Sequence, residues 1–600
     1  MNRKFLASLA LLLCLTTTFA QSTDKTPSFI RKKVIEYGWD VPYADYVSQN
    51  IAQMEKLPFD GLIFKLRSIG VILSTKPADP EKLKGDFEAC KAIKTSKFTD
   101  NFIIGWAASE QDWFDDAHWE VILQNTKNLA KAAKLANCVG ICFDHEPYGF
   151  NPWSYAKAKH RETKTFLEYE AIARKRGAQF ARALESEFPG LKVLTFFQLS
   201  YFASLCKPME PAKRAELLAN NGYAFLPAFL NGMLDAATPN LMIIDGNENA
   251  YYYTNQNQYY EVYHRVKQSA EYLIDPANWY KYKNQVQAGQ ALYIDYYFDM
   301  GSKSRRLNKF LTPEEQALWF EHNIYWAMKT TDEYVWCYSE RMNWWLNRTV
   351  PPGCEDAIVK AREAHDEGKP FTKDLKSALD KGRERQAEEL GAKLVKPKAT
   401  IPKIPANIQK PQIDGKFDGQ AWENAIELNN LVGVINQTPE VKAKTSVKAC
   451  YDDKALYLAV TCNEPEMNKL IAPELKRDDA NIWKGDSLEL FFAAPEKKTP
   501  VSHLIVNPSS SYWDALHLES SNDLGFNPTW QFAVTKQANA WLVEFEIPWA
   551  AMTVTPPKPG STISVNICRQ RSAGNEWSSW SPLVSGFLEF NQMGTFTFQK

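Results

Sequence analysis

Six hundred residues are more than one hydrophobic core serves, so several domains are expected. A composition of 45% hydrophobic and 24% charged residues is an ordinary globular balance, which excludes a largely disordered, collagen-like or multispanning membrane chain. The formal charge of -1 supplies no global field for nucleic acid or an anionic membrane, so neither is an expected partner.

The first element in chain order is a leader. Arg3 and Lys4 precede an apolar run from Phe5 to Leu15 and a small-residue site at Thr18-Phe19-Ala20, the pattern of a secretory signal peptide over residues 1–20. A secreted or periplasmic location follows as an expectation. Its removal takes away two basic residues, leaving 68 against 71 acidic ones. No later stretch has the ~20 apolar residues of a membrane span. Nine of the ten cysteines lie beyond the leader without a CxxC pair, which is neither a disulfide framework nor a zinc ribbon.

Residues 21–395 are read as one α/β domain. Eight apolar, β-rich runs recur at Val34–Trp39, Gly61–Leu66, Phe102–Trp106, Cys138–Asp144, Val193–Phe197, Leu241–Asp245, Ala291–Tyr296 and Tyr334–Tyr338, with amphipathic helical stretches between them. Eight such units in about 320 residues are the arithmetic of a (β/α)8 TIM barrel. Residues 396–412 hold several prolines and lysines and are read as an extended linker. Residues 413–600 change texture to strands separated by turns, as an all-β antiparallel sandwich requires.

In a barrel of this kind the active site lies where strands end, so acids there are the first candidates. On the fourth strand, period-two alternation puts Gly140, Cys142, Asp144 and Glu146 on one face, small and acidic, against Val139, Ile141 and Phe143 on the other. Two neighbouring carboxylates can split their pKa values, with Glu146 protonated as a general acid while Asp144 stays ionised. Asp295 and Glu340 are the preferred partners from the seventh and eighth strands, Asp245 and Glu248 end the sixth, and Asp40 ends the first. Aromatic residues crowd the same loops, with Trp39, Trp106, Tyr148, Tyr251, Tyr297 and Trp344 as candidate walls for a sugar ring. No GxSxG, HExxH, GxxxxGK or post-strand GxGxxG motif occurs, so serine-esterase, zinc-protease, P-loop and dinucleotide chemistries lack their signatures, and no catalytic metal or cofactor is expected.

Three resemblances extend this reading. Ile413-Asp414-Gly415-Lys416-Phe417-Asp418-Gly419, Tyr451-Asp452-Asp453, Trp483-Lys484-Gly485-Asp486-Ser487, Glu546-Ile547-Pro548-Trp549 and Asn566-Ile567-Cys568-Arg569 together resemble the family-9 carbohydrate-binding modules. That resemblance implies sugar binding between two tryptophans, for which Trp483 and Trp580 are the candidates, with Arg569 and Glu576 as polar partners. A structural calcium ion in this module is left open, although no stretch has the spacing of an EF-hand loop. On the fourth strand, Asp144 and Glu146 match the last two acids of the DxxDxDxE of family-18 chitinase-like enzymes, with Val139 and Cys142 at the first two positions. Glu146-Pro147-Tyr148 resembles the EPY of family-99 endomannosidase-like enzymes, with Gly149 at their second acid. The expectation is a glycoside hydrolase acting on an oligo- or polysaccharide, with Glu146 as acid and Asp144 or an acid of strands seven and eight as its partner. The alternatives are a non-catalytic glycan-capture protein and an enzyme acting on a glycan substituent.

Overall fold

The computed structural model describes residues 31–599 except 301–305, 347, 391–393, 439, 480, 496–498 and 520. The expected signal peptide lies outside the described residues. Nine parallel strands form the barrel sheet: β1 Lys33–Gly38, β2 Gly61–Phe64, β3 Phe102–Trp106, β4 Gly140–Asp144, β5 Lys192–Thr195, β6 Met242–Asp245, β7 Val286–Ala288, β8 Gln290–Tyr293 and β9 Tyr334–Ser339. Their order is β7-β6-β5-β4-β3-β2-β1-β9-β8. The seventh stave of the barrel is thus split. Its first half pairs with β6 and its second half with β9, and Gly289 stands at the break. A side chain there would press on Ile244 Cγ2 at 3.0 Å and on the Asp245 carbonyl at 3.1 Å, so only glycine lets the chain pass from one neighbour to the other without displacement.

Register decides what each strand shows the interior. Phe102 pairs with Gly140, Ile104 with Cys142 and Trp106 with Asp144, while Ile35 pairs with Trp336 and Tyr37 with Tyr338. Trp336 stacks on Phe196 with ring centroids 4.2 Å apart, and its indole N–H donates to the Gly246 carbonyl at 2.8 Å. These contacts fix the inward parity of β9, β5 and β6. At the opposite end, Lys192 donates to Tyr334 Oη and to Glu333 at 2.6 Å, and Phe102 packs edge-on to Tyr334, closing the floor.

Helices follow most strands and bury one face on the sheet, as the α/β pattern requires. Thr165 and Thr312 open the helices Phe166–Glu187 and Pro313–Lys329 with reciprocal capping boxes to Glu168 and Glu315. One expected strand is shorter than its apolar pattern: Ile294–Tyr297 is a single helical turn, so Asp295 sits after the strand and not on it. All nine described cysteines are free and buried, including Cys138 and Cys142. No helix among the described residues is long and apolar enough to cross a membrane.

The C-terminal region is a pair of antiparallel sheets. One is built on strands Ser487–Ala493, Val501–Val506 and Thr562–Arg571, the other on Thr445–Tyr451, Ala455–Asn463 and Ala540–Pro548. Alternate residues such as Leu488, Leu490, Phe492, Val543, Phe545 and Ile567 fill the space between them. Part of the segment expected to be a linker belongs to this sandwich. Lys398–Ile401 pairs in parallel with Gly594–Phe598, and Lys403 bridges to Tyr451, so the proline-rich stretch is an edge strand and not a free spacer.

Candidate functional site

At the C-terminal ends of the barrel strands, Glu146, Glu248 and Glu340 line a cavity of about 450 Å³ walled by tyrosines and Phe196. Tyr251 stacks on Tyr338 with centroids 5.5 Å apart and planes 13° apart, Tyr37 lies 5.7 Å from Tyr338, and Tyr293 lies 5.2 Å from it. This aromatic cup is a direct product of register, because Tyr37, Tyr293 and Tyr338 pair along adjacent strands. Beside it lies a second cavity of about 380 Å³, which shares Tyr37, Trp39 and Tyr148 with the first and adds Trp106. The expected walls Trp39, Trp106, Tyr148 and Tyr251 are therefore brought together at the mouth.

The carboxylates there are not equivalent. Glu146 follows β4 and accepts a hydrogen bond from the Tyr148 hydroxyl. Glu340 follows β9 and accepts from the Tyr338 hydroxyl at 3.2 Å. Glu248 opens a short 3₁₀ turn, Glu248–Tyr252, placed by Asn247 in the left-handed region at φ 44°. Burial and the charge of Glu146 push the Glu248 carboxyl up to about 8. Asp144 is fully buried beneath this group and accepts from the Glu146 backbone N–H at 2.8 Å. Burial, followed by the charges of Glu146 and Glu248, holds its carboxyl well above the usual range. Both effects oppose ionisation of Asp144, against the direction expected for it from sequence. His145 points the other way, as alternation requires. It is buried, hydrogen-bonded to the Phe197 carbonyl at 3.0 Å, and burial lowers it to about 3.

Four of the expected residues lie elsewhere. Asp245 shares the outward parity of Ile243 and is fully buried in the loop layer, where it accepts from the backbone N–H groups of Ser200 at 2.7 Å and Gln198 at 3.0 Å. Asp295 accepts from the backbone N–H groups of Glu340 and Arg341 at 2.8 and 2.7 Å, so it clamps the loop after β9 without lining the cavity. Tyr297 is buried, with its hydroxyl accepting from Asn323 at 3.0 Å. Trp344 is buried edge-on against Phe59 at 4.9 Å. Glu248, expected with Asp245 as an acid at the end of the sixth strand, sits on the turn past β6 and, unlike Asp245, lines the cavity. A further acid pair lies behind β1, where Glu36 is fully buried and Asp40 is raised to about 6 mainly by burial.

The sandwich carries its own cleft, of about 820 Å³, lined by Trp483, Trp513, Trp577 and Gln570 among others. Trp483 packs edge-on to Trp513 at 5.2 Å and is held by a 2.9 Å bond from Gln570 Nε2 to its carbonyl. A hydrogen-bonded chain runs along the cleft floor, from the buried Glu489 to His503 at 2.9 Å and His517 at 3.0 Å, and ends on the exposed Asn522 at 2.7 Å. The three partners expected for Trp483 are elsewhere. Trp580 is buried in the sandwich core against Phe596 at 5.1 Å. Arg569 continues the inward series Ile563, Val565 and Ile567, is buried, and donates to Thr445 at 3.2 Å. Glu576 binds Arg571 and the Lys442 N–H, inside a network in which Arg571 also holds Glu464 at 2.7 Å. The same alternation, followed one residue further in each case, turns Gln570 and Trp577 to the cleft. Among the described residues, no group of three or more His, Cys, Asp or Glu side chains is placed to hold a metal ion.

The two tryptophans give opposite expectations. Trp483→Ala should weaken glycan retention by about tenfold or more at unchanged stability, read by affinity electrophoresis. Trp580→Ala should instead destabilise the sandwich by about 3–5 kcal/mol, read by urea denaturation.

Residues 413–599 match the model of the carbohydrate family 9 binding domain-like family. No curated protein matches the sequence. Among solved structures, a family 9 carbohydrate-binding module from Caldicellulosiruptor kristjanssonii in complex with cellotriose is similar at 16% identity, over 34% of this chain and 94% of that one, with a TM-score of 0.24. A glycoside hydrolase family 5 enzyme from Prevotella bryantii, in complex with a xyloglucan tetradecasaccharide, is similar at 9% identity over 56% of this chain and 96% of that one, with a TM-score of 0.31. An exo-β-1,4-mannosidase from an Opitutaceae bacterium is similar at 11% identity over 62% of each chain, with a TM-score of 0.28.

Proposed function

We propose that the chain is a secreted or periplasmic glycoside hydrolase whose barrel mouth cleaves O-glycosyl bonds of an oligo- or polysaccharide and whose C-terminal module binds the same class of ligand. The observation that carries this reading is the trio Glu146, Glu248 and Glu340 in an aromatic cavity at the C-terminal end of the barrel. Tyrosine faces suit the apolar faces of a sugar ring, and carboxylates at its edge suit general acid catalysis.

The roles follow from environment. Glu248, held protonated near neutrality, is the proton donor to the glycosidic oxygen. Glu146, oriented by the Tyr148 hydroxyl, is the carboxylate that attacks the anomeric carbon or activates water. This exchanges the role expected of Glu146 from sequence and gives the acid's role to Glu248. Asp144 acts through the Glu146 backbone and is a positioning residue.

A pH dependence follows. As the acid, Glu248 works only while protonated, so kcat/KM should fall as pH rises through about 8. The stability effect has the same sign. With a folded value of about 8 against an ordinary 4.5, the folded state binds more protons than the unfolded state between those values, and stability declines with rising pH across that window. Glu248→Gln removes that decline, so its melting temperature relative to wild type should rise from about pH 5 to about pH 8. An unchanged difference would contradict the raised value.

The functional reading is tested by incubating the protein with a panel of soluble polysaccharides and measuring new reducing ends. Release from at least one polymer is expected. Retention on a polymer without release would point to a capture protein.

A further inference from the structure

The barrel mouth and the module cleft do not stand apart. Between them runs a groove of about 690 Å³, with Tyr252, Asn255 and Arg306 on its barrel wall and Glu519, Asn591 and Gln592 on its module wall. Tyr252 also lines the mouth cavity, and Ser585, Leu588 and Glu589 also line the module cleft. The three spaces therefore share walls end to end, and each has the size of a ligand pocket.

The two regions are held in register at this groove. Asn255 Nδ2 donates to Glu519 Oε1 at 2.9 Å, Gln258 Nε2 donates to the Glu519 carbonyl at 3.0 Å, and Lys207 pairs with Asp523. Glu589 accepts from the backbone N–H groups of Val584 at 2.9 Å and Gly586 at 3.2 Å, which shapes the loop that divides groove from cleft.

The lining suits one kind of occupant. Singly exposed apolar side chains are ordinary on a surface, but here one recurs in each space: Trp39 at 67% exposure in the mouth, Tyr252 at 53% where mouth meets groove, Leu588 at 58% where groove meets cleft, and Trp483 at 41% in the cleft. Between them stand hydrogen-bonding side chains, among them Arg306, Arg383, Asn591 and Gln592. Apolar platforms alternating with hydrogen-bonding side chains match a chain of sugar rings edged by hydroxyls. Glu519 and Glu589 balance the charges of Arg306 and Arg383 in the same groove, which leaves no net positive field for a phosphate backbone, and its polar wall disfavours a lipid.

The geometry points to one continuous glycan track, in which a single polysaccharide chain lies across the Trp483 cleft, passes through the interdomain groove and reaches Glu146 and Glu248. The module is then an extension of the cleft and not a separately tethered anchor. This rests on the glycan reading above and adds to it the groove as a binding site of its own. Affinity should grow with chain length beyond what either end accommodates, since a ligand spanning both ends gains the second contact intramolecularly.

The test is affinity electrophoresis in gels containing xyloglucan, arabinoxylan, glucomannan or pectic galactan, using the full chain. On the polymer that retards it most, Arg306→Ala/Asn591→Ala should weaken affinity about tenfold, while calorimetric affinity for that polymer's own trisaccharide stays unchanged. Either single variant serves, with a smaller effect, if melting curves show the double variant misfolded. If polymer affinity survives the groove variants while Trp483→Ala or Trp39→Ala loses it, the glycan reading stands and the track is overturned. If no polymer retards the wild type, the glycan reading fails and the track falls with it.

Discussion

Glu146→Gln is expected to lower kcat on the responding polysaccharide by about 10²- to 10⁴-fold, the range that a positioned proton-transfer or nucleophilic carboxylate contributes. The amide keeps the size of the side chain and can still meet the Tyr148 hydroxyl, so polymer affinity should hold within about threefold. Glu248→Gln should produce a loss of the same order and, in addition, abolish the alkaline limb near pH 8. Because the two groups act as a unit, the double variant should be little worse than either single one. Glu340→Gln, whose carboxylate lines the cavity beside Tyr338, should cost less and act mainly through KM. Steady-state kinetics with reducing-end detection separates these outcomes. Full turnover by Glu146→Gln would remove Glu146 from the chemistry.

The second large effect concerns stability. Asp245→Ala should destabilise the barrel by about 3–5 kcal/mol. Its carboxylate is fully buried and accepts from Ser200 N–H at 2.7 Å, Gln198 N–H at 3.0 Å and the Ser200 hydroxyl, with Asn247 N–H at 3.4 Å. Deleting it strands several buried donors at once, and each unmet donor costs about 1–3 kcal/mol. The same loop carries Asn247 and Glu248, so the residual folded protein should also show a lowered kcat. Denaturant unfolding measures the first effect. A stability change below ~1 kcal/mol would mean that the loop is held by other contacts.

Strand parity explains what could and could not be read before the fold was known. On the fourth strand, the small and acidic alternation correctly separated the inward Asp144 from the outward Phe143 and His145. Applied to the sixth strand, the same count would have set Asp245 beside Ile243 on the outer side. In the sandwich it would have put Arg569 and Glu576 inside and Gln570 and Trp577 at the cleft. Glu248 was legible as an acid at the end of the sixth strand, but not which way it faces, because a 3₁₀ turn entered through a left-handed asparagine has no periodicity to follow. The edge strand Lys398–Ile401 was hidden for another reason: its partner, Gly594–Phe598, lies nearly two hundred residues away in the chain, so composition alone showed only prolines and lysines. More than three hundred residues separate Tyr252 from Ser585, which is why the groove between them is visible only in the folded chain.

The central claim is that the carboxylates at the barrel mouth hydrolyse a glycosidic bond. Mass spectrometry of products formed in ¹⁸O-labelled water tests it most directly. Hydrolysis predicts shortened chains with one ¹⁸O atom at each new reducing end, and no such product from Glu146→Gln. A polymer that is retained by the wild-type protein and recovered at full length, or cut without taking up the label, would contradict it.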